Sequence, residues 1–192
     1  MNLVAYLRDN LAGAWQVMLG RPDGLDRLDT SLEGFWRSFA AFVLVVPFAS
    51  VSLISERSLT AEAATPEAIA GATFVLYGLA LLADWFAFPL LFAFLAPAFG
   101  LGSRYVPFIV ARNWASVLIA AMVAVVHALH LVGVFSAALT PYLLIILVAV
   151  ALRFSYVITR LTLLVSMMMA LPIVILDLLT SLVIWSAFDH FV

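Results

Sequence analysis

The sequence predicts an all-α, polytopic helical membrane protein: an N-terminal amphipathic helix followed by five transmembrane helices. Three observations carry this expectation. Of the 192 residues, 66% are hydrophobic and only 10% charged, at a mean hydropathy of +1.19, which is more apolar surface than a water-soluble domain can hide. The apolar residues gather into runs of about 20 or more, the length that crosses a bilayer. Gly, Pro and short polar clusters punctuate those runs at intervals suited to short loops.

The first element is an arm over residues 1–30. Leu3, Leu7, Leu11, Trp15 and Met18 recur at helical spacing, with Arg8, Asp9 and Gln16 on other faces, so they form the apolar stripe of an interfacial helix. Gly20 and Pro22 stop it. Because Arg8, Asp9 and Asn10 interrupt the only apolar stretch of the first twenty residues, no cleaved signal peptide is expected, and the first span serves as its own insertion signal.

Residues 31–192 are expected to form one transmembrane domain. Thr30 with Glu33 reads as a capping box leading into a first span at about 36–55. A polar loop follows from Glu56, and Thr65 with Pro66 reads as an N-cap and first-turn pair for a second span at about 66–99. The turn "GLGSRYVP" precedes a third span at about 107–135, and Thr140 with Pro141 repeats the capping device for a fourth. From Pro141 to Phe188 the chain holds 48 residues, about 70 Å of helix against a hydrocarbon core of about 30 Å. It must turn back, and Arg153 and Arg160 place the turn near 157–162, giving spans of about 141–158 and 162–188. The alternative is four spans, with 141–188 as one long tilted helix kinked at Pro172.

All nine basic residues are arginine, a bias that points to a GC-rich bacterial genome and hence to a bacterial inner membrane. With the N-terminus cytoplasmic, Arg8, Arg21, Arg27, Arg37, Arg104, Arg112, Arg153 and Arg160 lie inside and only Arg57 outside, as the positive-inside rule asks. The C-terminus then faces the periplasm.

Polar side chains at membrane depth are functional candidates because burying them is expensive. Counting 1.5 Å per residue from the expected boundaries, Asp84 and Arg153 reach similar depths and can pair, and so can Asp177 and His127. Asn113, Ser116, Ala120, Ala124 and His127 form a stripe that should face protein or water, not lipid. Thr180 and Ser181 extend the patch around Asp177. The plainer readings are a structural ion pair for Asp84 with Arg153, solvation for His130, snorkelling to inner headgroups for Arg112 and Arg160, interfacial anchoring for Trp15, Trp36, Trp114 and Trp185, and packing for Met167 to Met169.

Several function classes are disfavoured. A net charge of −2 offers no basic field for nucleic acid. The absence of Cys removes disulfides, thiolate nucleophiles and Cys-ligated clusters. No HExxH, GxGD, G-x-S-x-G or acid-rich metal cluster occurs, and "HALH" has no acidic partner close in sequence. Neither an enzyme, a metal site nor a cofactor is expected.

The amphipathic arm ahead of five closely spaced spans resembles the layout of the Yip1 family over residues 36–188. The stretch "GLGSRYVPFIVARNWASVLI", residues 100–119, is similar to the turn and third span of bacterial Yip1-like proteins. That resemblance implies a helical membrane protein acting through binding and membrane organisation, with no catalytic residues to carry over. The expected function is therefore a non-enzymatic membrane adaptor or accessory subunit, in contact with the lipid bilayer and with a protein partner or a second copy of itself. The alternative is a small transporter or proton-coupled channel using Asp177, His127 and Asp84.

Overall fold

A computed structural model describes residues 2–60 and 71–189. Seven helices carry them: α1 Leu3–Met18, α2 Leu32–Ala40, α3 Phe42–Thr60, α4 Gly71–Ala98, α5 Tyr105–Leu131, α6 Thr140–Leu163 and α7 Met167–Asp189. Five rods among them are long and apolar enough to cross a membrane: Leu32–Leu59, Phe74–Ala98, Gly102–Leu131, Thr140–Leu163 and Met167–Phe188. The protein is thus a polytopic helical membrane protein with five candidate spans, and the four-span alternative is set aside.

Helix ends explain the boundaries. Asn2 caps α1 by accepting from the Val4 amide at 3.2 Å. At the other end Gly20 takes a positive φ of +84°, and its amide and that of Arg21 bond back to Val17 and Gln16. The same arrangement closes α4 at Gly100, φ +70°, and α5 at Gly133, φ +78°. Each is a Schellman stop, for which glycine is the unstrained residue. The Gly133 stop ends α5 at Leu131, four residues short of the expected Phe135.

The α6–α7 turn lies at 164–166, not at 157–162. Leu164, with φ +54°, holds the left-handed position that glycine fills in the other three stops, so the sequence carries no signal for it. Arg153 and Arg160 sit within α6 and do not mark its end.

Two capping expectations are corrected. Ser31, not Thr30, caps α2: its Oγ accepts from the Gly34 amide at 3.0 Å, while Asp29 accepts from the Ser31 hydroxyl and amide at 2.6 and 3.2 Å. Glu33 pairs with Arg37 instead of closing a capping box. Thr140 is the first residue of α6, its hydroxyl donating to the Ser136 carbonyl at 3.0 Å, and the N-cap position is held by Leu139, whose side chain makes no capping bond. The polar loop expected from Glu56 is helical as far as Thr60, because a helix satisfies those backbone groups as well as water does at a membrane surface. Thr65 and Pro66 fall outside the described residues.

In cross-section α5 lies between α3 and α6, and α7 between α6 and α4. The arm is not free. α1 lies across α5 and α6 and buries Tyr6, Asn10, Gly13, Ala14, Val17 and Met18, a face rotated from the expected stripe. Leu3 is 69% exposed and Trp15 42%, Leu7 and Leu11 are half-buried, and of the predicted stripe only Met18 is fully covered. The rotation has a polar cause. Asn10 donates to the Tyr6 carbonyl and accepts from the Asp29 amide at 3.0 Å, tying the loop back onto the helix. Gly13 and Gly24 then let the 3-10 turn Pro22–Arg27 approach closely, since a Cβ at Gly24 would stand 2.5 Å from the Gly13 carbonyl oxygen.

Candidate functional site

The charged residues at membrane depth converge on a site between α4, α5 and α7, in a pairing the sequence did not predict. Arg112 on α5 donates twice to Asp177 on α7, Nη2 to Oδ1 at 2.8 Å and Nε to Oδ2 at 3.2 Å. This two-pronged fit is the strong form of an ion pair. The Arg112 guanidinium also lies over the Phe88 ring of α4, 5.1 Å from its centre, a cation–π contact that gains from exclusion of water.

Four residues along, about one helical turn, Ser181 on α7 donates to Asp84 on α4 at 2.6 Å. Arg112 therefore acts electrostatically on two carboxylates, Asp177 and Asp84. A cavity of about 50 Å³ opens beside the pair, lined in part by Arg112, Asp177, Ser116, Ser155 and Thr159. At about 10–15 Å³ per water it holds a few waters.

Helix geometry accounts for these partners. Arg112 is seven residues into α5 and Asp177 ten into α7, about 10 and 15 Å from neighbouring helix starts. Asp84 lies fourteen residues before the end of α4, and Ser181 fourteen after the start of α7, about 21 Å each.

Both expected pairs are corrected. His127 is fifteen residues beyond Arg112 on α5, about 22 Å further along, too far for Asp177. It faces Glu56 on α3 instead, Nε2 to Oε1 3.8 Å. Arg153 is on α6, whereas α4 packs along α7. It points to the arm, its Nη1 reaching the Met18 carbonyl at 3.4 Å, where a cation satisfies an orphan carbonyl at the C-terminus of α1. Of the two arginines on α6, Arg153 docks the arm and Arg160 is exposed beside the Tyr156 ring.

The predicted stripe on α5 does face protein. Asn113 is fully buried and donates to Ser38 Oγ of α2 at 3.0 Å, and Ser38 donates to the Phe35 carbonyl. Ala124 and His127 are buried too. Thr180 does not join the patch, its hydroxyl returning to the Leu176 carbonyl. His130, expected to be merely solvated, sits between the Phe135 carbonyl at 3.1 Å and Ser58 Oγ at 3.3 Å. Trp114 is no interfacial anchor. It is fully buried against Tyr6, ring centres 5.9 Å apart. Arg112, Ser38 and Tyr6 are the participants missed from sequence. Depths within about 5 Å of each other, counted from the starts of α5 and α7, make Arg112 a candidate partner for Asp177 once the α6–α7 turn is placed.

No family model, curated protein or solved structure matches this chain.

Proposed function

We propose that the protein is a non-enzymatic integral membrane scaffold or accessory subunit, acting by binding rather than by chemistry or transport. One observation carries the reading: Arg112 with Asp177 ties α5 to α7, and Ser181 with Asp84 ties α7 to α4, beside a cavity that holds only a few waters. Such pairs fix helix register, and a path across the bilayer needs a longer polar channel. The outward faces of α6 and α7 supply the binding surface, with Ile145, Ile146, Ile175, Leu179 and Val183 more than half exposed. In this reading the protein sits in a bacterial inner membrane with α1 on the cytoplasmic side. Arg8, Arg21, Arg27, Arg37, Arg104 and Arg160 mark that end, and Arg57 the other.

A second reading, a proton-coupled transporter, is favoured by the Asp177 carboxylate that lines the cavity with Arg112 and by Asp84 within electrostatic reach of that guanidinium. Flux measurements on purified protein in liposomes separate the two. The scaffold reading expects no proton or ion flux above empty vesicles. Flux that disappears in Asp84→Asn would replace it.

A further inference from the structure

A groove of about 510 Å³ runs between the start of α1 and the junction of α2 with α3, within the size range of ligand clefts. The interlock does not use it. Leu3 and Leu7 form one wall, and Val43 and Leu44, which belong to the first candidate span, form the other. That second wall places the groove against the acyl region of the bilayer. Trp36, 64% exposed on α2, stands at the level where tryptophan marks the headgroup boundary.

The groove carries a polar end. Tyr6 and Trp114 line it edge to face, and Tyr6 Oη and Trp114 Nε1 are buried with no hydrogen-bond partner among the described residues. Two such donors side by side are uncommon, since buried polar groups are nearly always satisfied. Above them Arg37 lies over the Tyr6 ring at 5.4 Å and pairs with Glu33. Both partners are at least half exposed, so that pair is weak and exchangeable. Arg37 lines the groove and holds Glu33 beside it, so one cation and one carboxylate stand at the mouth.

We propose that this groove binds one zwitterionic aminophospholipid of the surrounding bilayer. An acyl chain lies along Leu3, Leu7, Val43 and Leu44, and the ester carbonyls accept from Tyr6 Oη and Trp114 Nε1. The phosphate meets Arg37 and the ammonium meets its partner Glu33, a carboxylate that disfavours a purely anionic headgroup. This inference is independent of the scaffold reading, because it concerns the junction of the arm with the first span and not the α6–α7 face.

The test is native mass spectrometry of full-length protein released from nanodiscs of equal phosphatidylethanolamine and phosphatidylglycerol. Wild type is expected to retain one phosphatidylethanolamine per chain. Arg37→Gln, which removes the phosphate contact, and Ala40→Trp, which fills the groove from an exposed position, each lower retention about tenfold. Tyr6→Phe lowers it less and leaves the groove shape intact, so it decides with Arg37→Gln should Ala40→Trp fail to fold. Val75→Trp, at an exposed position on α4 away from the groove, leaves retention unchanged. Equal retention in every variant, a preference for phosphatidylglycerol, no retained lipid, or a polypeptide displaced by Ala40→Trp would each overturn the proposal.

Discussion

Removing one member of the Arg112–Asp177 pair should destabilise the bundle, and the size of the loss follows from the geometry. Asp177→Ala deletes two charge-assisted hydrogen bonds, each worth about 1.5–3 kcal/mol, and strands a guanidinium whose side chain is 14% exposed. Breaking a buried pair costs about 3–5 kcal/mol in soluble proteins. Here Phe88 and Asp84 still attract the cation, and chains unfolded within a membrane find other partners, so about 2 kcal/mol is expected. Arg112→Leu should cost more, about 3 kcal/mol, because it leaves two carboxylates with no cation between them. The double substitution Arg112→Leu with Asp177→Leu should cost clearly less than the sum. The assay is equilibrium unfolding in mixed micelles, followed by tryptophan fluorescence, over the full double-mutant cycle. Single losses that add to within about 0.5 kcal/mol would refute an energetic interlock.

Further expectations concern the arm and the turns. Gly24→Ala would force a Cβ to 2.5 Å from the Gly13 carbonyl, so it should cost about 1–3 kcal/mol and raise amide exchange in α1 relative to α7. Leu164→Gly should relieve a left-handed residue and stabilise by up to about 1 kcal/mol, whereas Leu164→Val should destabilise; thermal unfolding of the pair checks the sign. Burial, aided by the Asp29 and Glu33 charges and opposed by Arg37, pushes the Tyr6 phenol above its ordinary value of about 10. Since the folded state holds that proton more tightly, Tyr6 favours the docked arm below pH about 10 and loses that contribution as pH rises further. Proteolysis of α1 should therefore accelerate at pH 11 in wild type and change less in Tyr6→Phe.

The class of the fold was legible because hydropathy and run length answer to the solvent, which in a bilayer acts on every residue of a span. Of the four helix stops, those at Gly20 and Gly100 were equally legible, since glycine supplies the left-handed residue that a Schellman stop needs, while Gly133 offers the same signal and was passed over in drawing the third span to 135. The fourth was hidden by Leu164, a residue with no turn preference held there by its context. That one misplacement shifted the expected start of the last span by five residues, about 7 Å of rise, and contributed to the false match of Asp177 with His127. The protein-facing stripe on α5 was readable from polar spacing. Its partner Ser38 was not, because side-chain pairing between distant helices leaves no trace in local periodicity. The face of α1 was misread for a related reason: Asn10 and Gly13, polar or featureless in sequence, are buried by the Asp29 and Gly24 backbones.

The scaffold account is tested most directly by site-specific photo-crosslinking in native membranes from Ile146 and Leu179, both on the exposed α6–α7 face. The account predicts one stoichiometric protein adduct shared by both positions and absent from an exposed position on α4, Phe94. Only lipid adducts at both positions, together with ion flux by the purified protein, would contradict it.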